Sequence, residues 1–79
     1  MSLRHVSDLL VEGSVDAAAN TLQQWVSEEL GACLVVRSCG GYWTAHIEDA
    51  GRPISGGVDG TLLSDAIGNI AVYLSEEYP

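Results

Sequence analysis

Residues 33–58, CLVVRSCGGYWTAHIEDAGRPISGGV, decide the fold of this chain. β-Branched and aromatic residues dominate the stretch, and breaks at Gly40-Gly41 and at residues 49–52 (Asp-Ala-Gly-Arg) divide it into three short runs. Breaks of this composition between β-rich runs are typical of hairpin turns. The stretch therefore predicts three consecutive antiparallel strands, with Pro53 in an edge strand where its missing N–H is tolerated.

The two turns predict two registers, and both registers sort the side chains in the same way. The predicted pairs are Val36 with Ala45, Leu34 with Ile47, Ser38 with Trp43, Ile47 with Ile54 and Trp43 with Val58. One face is then predicted to be buried and carries Leu34, Val36, Trp43, Ala45, Ile47, Ile54 and Val58. The other face is predicted to be open and carries Cys33, Val35, Arg37, Tyr42, Thr44, His46, Glu48 and Ser55.

Two helical patterns flank the strands. Apolar residues recur at spacings of three and four after Ser14, and Gly31 is placed to end the pattern, so we predict a helix over 15–30. A second apolar stripe over 63–74 follows Thr61, which can cap it. The pattern predicts an α+β fold of order α-β-β-β-α: a three-stranded antiparallel meander with two helices on one face.

Length and composition limit the chain to a single small domain, residues 1–79. The hydrophobic fraction of 47% is typical of a chain that folds around one core. Residues 1–13 are predicted to be an N-terminal arm or a short helix, and their spacing does not decide between the two. The chain shows no signal peptide and no run of the roughly 20 apolar residues that span a bilayer, which predicts a cytoplasmic protein.

The two cysteines lie on one predicted strand. Cys33 and Cys39 are six residues apart, so their α carbons would be about 20 Å apart at about 3.3 Å per residue. That separation is too large for an intramolecular disulfide, and free thiols suit a reducing cytoplasm.

The charge of the chain has one dominant sign. Eleven Asp and Glu residues face three Arg and no Lys, which gives a formal net charge of -8. Such a charge destabilises a compact state through self-repulsion and argues against direct binding to a nucleic-acid backbone. It favours solubility or a basic protein surface as the partner.

The direction of the chain brings three acidic pairs to one end of the predicted sheet, where the first helix, the second strand and the second helix all end. The predicted partner-binding residues are Glu28, Glu29, Glu48, Asp49, Glu76 and Glu77. The carboxylate of Pro79 is expected beside them, with Arg52 as the one nearby base. Two pairs end helices, where the helix dipole disfavours anions. Either these acids only solubilise the protein, or they form a negative surface that docks into a site lined with Lys and Arg.

The open face of the sheet is a second candidate surface. Its possible contact residues are Val35, Arg37, Tyr42, Thr44 and His46. Apolar and aromatic side chains suit contact with another protein. We therefore predict a monomer or a weak homodimer that uses this face, and expect Val35→Glu to weaken the dimer.

Catalytic and ligand-binding signals are weak. No nucleophile motif is present, so we predict neither enzymatic activity nor a cofactor. His46 lies near Cys33 and Glu48, but the chain has no close Cys/His pair of the zinc-ligand type, so no metal site is predicted. The glycines of residues 56–60 lack the Lys of a phosphate-binding loop and predict a bulge or close packing under Trp43.

In size, charge and predicted architecture, the whole chain resembles the small acidic anti-CRISPR proteins of phages and other mobile elements, particularly inhibitors of type I surveillance complexes. The resemblance implies a DNA mimic in the cytoplasm of a bacterial host cell. Its carboxylates would stand in for phosphates on a basic DNA-binding or PAM-reading surface of the complex (Cascade) and block target DNA binding. The implied inhibitor is stoichiometric and not catalytic.

Residues 42–74 also resemble the β-β-α unit of HicB-like antitoxins. The resemblance rests on residues 42–45 (Tyr-Trp-Thr-Ala) followed by residues 60–66 (Gly-Thr-Leu-Leu-Ser-Asp-Ala). That family usually has a Pro-Gly element before its helix and often an appended DNA-binding domain, and this chain has neither. The alternative function that it implies is an antitoxin, or another acidic interaction module, that neutralises a basic RNA-binding partner.

Overall fold

A computed structural model describes residues 3–55 and 57–78 of the chain. Its elements are α1 (Leu3–Val11), α2 (Val15–Leu30), β1 (Cys33–Cys39), β2 (Tyr42–Asp49), β3 (Arg52–Pro53), β4 (Val58–Gly60) and α3 (Leu63–Glu77). The class is α+β, and β1, β2 and β3 form an antiparallel meander, as predicted. The residues before α1, together with Gly56 and Pro79, lie outside the described part, and so does the predicted position of the Pro79 carboxylate.

The first hairpin has the predicted register. Val36 lies opposite Ala45, Leu34 opposite Ile47 and Ser38 opposite Trp43. The turn between the strands needs two positive φ angles, which Gly40 and Gly41 supply at 55° and 96°. Glycine adopts this left-handed conformation without the steric cost of a side chain.

The predicted third strand is divided in two, which corrects the second register. Val58 lies opposite Ala45 and not opposite Trp43, whose partner is Gly60. The chain leaves β2 after Ile54, whose N–H donates to the Ile47 carbonyl at 2.9 Å. The shift is two residues, so Val58 keeps its predicted face.

The side chain of Ser55 explains where the ladder breaks. The Ile47 N–H donates to the Ser55 hydroxyl oxygen at 3.1 Å, in the place where a strand carbonyl would accept. Ile54 is 48% exposed, so its predicted place on the buried face is wrong. The glycine segment was predicted to form a bulge or to pack closely under Trp43; the close packing found at Gly60 is against α3, where an added Cβ would lie 2.5 Å from the backbone nitrogen of Ala66.

The three helices form two layers on the sheet. α2 has the predicted bounds and packs on β1, whereas α3 packs on β2 and β4. Residues Leu3–Val11 are a helix that lies against both α2 and α3 and buries Val6. The residue preceding α3 is Leu62 and not the predicted cap Thr61, because the Asp65 carboxylate accepts a hydrogen bond from the Leu62 N–H at 3.2 Å.

The core lies between the sheet and the helices. Its fully buried side chains include Val6, Leu22, Val26, Ile47, Ile67, Ile70 and Leu74. Trp25 is 8% exposed, whereas Trp43 is only partly buried and packs at the margin of the core. Within the described residues, no helix has the length and apolar character needed to cross a membrane.

Candidate functional site

The ends of three elements place the predicted acidic pairs at one end of the molecule. Cys33 follows the end of α2 by three residues and lies opposite Glu48 at the end of β2. Tyr78, directly after α3, packs against Trp25 of α2. The two rings meet at an angle of 63° with 6.0 Å between their centroids. We call this end the acidic pole and define it by Glu28, Glu29, Glu48, Asp49, Glu76 and Glu77.

The first pair of the acidic pole ends α2. Gly31 adopts a left-handed conformation with φ of 62°, and its N–H donates to the carbonyl of Ser27, which closes the last turn. Glu28 and Glu29 are both exposed on that turn. The Glu28 carboxylate accepts a hydrogen bond of 3.0 Å from the Gln24 amide one turn earlier. The helix dipole disfavours both charges at this position.

The second pair ends β2, and its two members face different surroundings. The carboxylate of Glu48 lies 2.5 Å from Nε2 of His46 on the open face, and both side chains are partly buried. A carboxylate only accepts hydrogen bonds, so the imidazole donates. Asp49 is exposed and has Arg52 as its register partner across the β2–β3 turn. Glu48 is therefore held by a partly buried side chain, whereas Glu28 is held by an exposed one, that of Gln24.

The third pair ends α3. Glu76 and Glu77 are exposed, and the helix closes with the Tyr78 N–H donating to the Leu74 carbonyl at 2.8 Å. The contact between Tyr78 and Trp25 fixes this end of α3 against α2. Neither Glu76 nor Glu77 stabilises the helix end, because the dipole there favours cations.

No family model, curated protein or solved structure matches this chain.

A groove beside the acidic pole adds a base that the sequence pattern did not place there. It has a volume of about 470 Å³, and its lining includes Leu3, Arg4, Ser7, Trp25, Ser75 and Tyr78. Arg52 is therefore not the only base near the pole. The position of Arg4 could have been inferred from the antiparallel path of α1 and α2, had residues 3–11 been predicted as a helix.

Five acids lie away from the acidic pole. Asp8, Glu12, Asp16, Asp59 and Asp65 are all exposed and lie where α1 and β4 end and where α2 and α3 begin. We call this group the opposite pole. These residues are not among the sites predicted from the sequence, although the path of the chain places them together. The negative charge is thus present at both ends of the molecule, and the two ends can be compared directly by mutation.

The open face carries all five predicted contact residues, with Val35 opposite His46 and Arg37 opposite Thr44. Arg37 and Tyr42 are exposed, whereas Val35, Thr44 and His46 are partly buried. In residues 3–55 and 57–78, no group of three or more His, Cys, Asp or Glu side chains could hold a metal ion.

Proposed function

We propose that the protein is a stoichiometric inhibitor that docks the acidic pole onto a basic, nucleic-acid-binding surface of a partner protein. The proposal is supported by the acidic pairs that end α2, β2 and α3, and by two contacts that link these ends, Cys33 opposite Glu48 and Tyr78 against Trp25. Five of the six carboxylates are exposed, and Glu48 is partly buried against His46. A surface of this kind attracts a Lys/Arg-lined site and accelerates association with it.

The position of these charges supports a role in binding. Glu28, Glu29, Glu76 and Glu77 lie at helix C-termini, where each exposed anion costs about 0.3 to 1 kcal/mol. Solubility alone would be served equally well by acids at helix starts, where the dipole stabilises them. A partner that neutralises the pole compensates for the cost of placing the acids at these helix ends.

The partner that we propose is a type I CRISPR surveillance complex in the cytoplasm of the bacterial host cell. The proposal follows from the resemblance in size, charge and architecture described above. The carboxylates of the acidic pole would occupy positions that DNA phosphates occupy on the DNA-binding or PAM-reading surface. Target DNA and the protein would then compete for one site, and no covalent bond would be made or broken.

The test compares charge reversals at the two poles. Glu28→Lys/Glu29→Lys changes the acidic pole at the end of α2. Asp8→Lys/Glu12→Lys makes the same change in net charge at the opposite pole, where α1 ends. Binding of each variant to a purified surveillance complex is measured, together with inhibition of target DNA binding by that complex. We expect Glu28→Lys/Glu29→Lys to lose about 2 to 3 kcal/mol of binding free energy, because the new lysines would face the basic groups that pair with these carboxylates in the complex.

The control variant decides whether location or net charge matters. Asp8→Lys/Glu12→Lys should reduce binding only through weaker long-range steering, which high salt removes. Equal losses in both variants would show that the acidic pole has no special role. Undiminished binding after reversal of all three pairs would contradict the proposal, and binding to a basic toxin in place of the complex would favour the antitoxin alternative.

A further inference from the structure

β1 is an edge strand whose outer side is open. The order of the sheet is β1-β2-β3, with β4 also on β2, so β1 has one neighbouring strand in the described part of the chain. It has seven residues, contains neither proline nor an acidic residue, and carries one charge, on Arg37. Long edge strands without such protection are surfaces on which another strand can pair.

The hydrogen bonds of Leu34 show which backbone groups point outward. Its N–H donates at 2.7 Å to the side-chain oxygen of Gln23 on α2 and not to β2. Its register partner Ile47 likewise uses its N–H and carbonyl on the side away from β1. Because antiparallel strands alternate, Val36 and Ser38 also direct their backbone groups to the open edge. Gln23 therefore covers one end of the edge and leaves the rest uncovered.

The two cysteines are placed symmetrically on this edge. Cys33 and Cys39 are the first and last residues of β1, each three residues from Val36, and both thiols are free and exposed. They lie on the same side of the sheet, since alternate residues of a strand share a face. The strand is therefore self-complementary about Val36 when a second copy approaches in the antiparallel direction.

We propose that two copies of this chain pair through β1, antiparallel and two-fold symmetric, with Val36 opposite Val36 of the second copy. The Val36 N–H of each copy then donates to the Val36 carbonyl of the other. The Ser38 N–H of each copy donates to the Leu34 carbonyl of the other, and the bond between Leu34 and Gln23 is kept. The two sheets then form one continuous sheet, and both acidic poles stay outside the interface between the copies.

This register brings each Cys33 opposite Cys39 of the second copy. Residues 33 and 39 occupy a non-hydrogen-bonded pair, in which α carbons are about 4.5 Å apart. That distance is within the range of about 4.4 to 6.8 Å that disulfides span. The two thiols of one chain cannot reach each other along the strand, so the cysteines report pairing between copies and not within one copy.

Oxidation with diamide tests the register. Two thiols transfer two hydrogen atoms to the N=N bond of diamide, which is reduced to the hydrazine as the disulfide forms. Cys33→Ser and Cys39→Ser are oxidised separately and as an equimolar mixture, and covalent dimers are measured by non-reducing electrophoresis. We expect the mixture to give at least about tenfold more dimer than either variant alone, because only Cys33 with Cys39 meets the distance requirement. Equal yields from all three samples would overturn the proposal.

Peptide mapping identifies the bond in the native protein. Trypsin cleaves after Arg37, which separates the two cysteines. The covalent dimer should contain the Cys33 peptide joined to the Cys39 peptide, whereas a dimer made of two identical joined peptides would contradict the two-fold pairing. Raising the salt concentration should increase the yield, because it screens the repulsion between two copies of net charge -8.

Three further variants separate edge pairing from contact through the open face. Val36→Pro removes an outward N–H that β2 does not use, so the dimer should be lost, whereas Val36→Ala should retain it. Val35→Glu places a carboxylate opposite Arg37 of the second copy, so the yield should be kept or increased. A lower yield with Val35→Glu, in a protein whose circular dichroism is unchanged, would show that the open faces meet instead.

Discussion

The acidic pole and the opposite pole carry similar charge but use it differently. At the opposite pole, Asp65 accepts the Leu62 N–H, and Asp16 lies in the first turn of α2, so both acids lie where a helix dipole favours anions. At the acidic pole, the helix-ending pairs lie where the dipole disfavours them. Helix stabilisation therefore accounts for Asp16 and Asp65, whereas Asp8 and Glu12 end α1 and share the unfavourable position of the helix-ending pairs of the acidic pole.

The largest expected effect concerns the contact that holds the acidic pole together. Trp25 is 8% exposed and meets the Tyr78 ring. Trp25→Ala should lower the free energy of unfolding by about 3 to 5 kcal/mol, the usual result for a large buried aromatic residue. Urea denaturation of the native protein and the variant measures it.

Trp43→Ala serves as the comparison for Trp25→Ala. The sequence pattern predicts that Trp43 lies on the buried face of the sheet, but the side chain is only partly buried at the margin of the core. Its loss should therefore cost less than the loss of Trp25. The reverse order would mean that the sheet, and not the packing beneath the acidic pole, dominates stability.

The next effect contrasts a glycine from each pole. An added Cβ at Gly60 would lie 2.5 Å from the Ala66 nitrogen and 2.7 Å from the Asp65 Cβ, so Gly60→Ala forces β4 and α3 apart. Overpacking of this kind costs about 1 to 3 kcal/mol, and backbone contacts favour the upper part of that range.

Gly31→Ala at the acidic pole should cost only about 1 to 2 kcal/mol. A Cβ added at Gly31 would meet no atom within 4 Å, so the cost comes from the left-handed φ of 62° alone. Thermal unfolding of both variants tests the order. A larger loss for Gly31→Ala would show that the end of α2 is the more tightly constrained of the two regions.

The sequence predicted the parts of the fold that repeat a simple period. The α2 bounds and the β1–β2 register follow from apolar spacing and from Gly40-Gly41, and both are confirmed. The division of the third strand could not be predicted, because it depends on the Ser55 hydroxyl replacing a strand carbonyl, which no spacing shows.

The composition of the acidic pole was likewise only partly predictable. Chain direction alone brings the three acidic pairs to one end, since the ends of successive antiparallel elements alternate between two poles. The contact of Glu48 with His46 and the position of Arg4 depend on side-chain directions and on α1, which the short apolar pattern of residues 3–11 left undecided. The function of the pole stays a prediction that the paired reversals test.

The smallest expected effect is the most direct comparison, because it uses one helix. Asp65→Asn removes a charge from the first turn of α3, and Glu77→Gln removes one from its last residue. Each change relieves the general self-repulsion of the acidic chain by one unit of charge, so the difference between the variants reports the helix dipole together with the charge on the hydrogen bond from the Leu62 N–H to Asp65. Asp65→Asn should lower the free energy of unfolding, and Glu77→Gln should raise it, each by about 0.3 to 1 kcal/mol at low salt. The difference should shrink as salt screens both sites. If both variants stabilise the protein equally, self-repulsion outweighs the dipole at both ends, and the position of the acids at the end of α3 would no longer support a binding role.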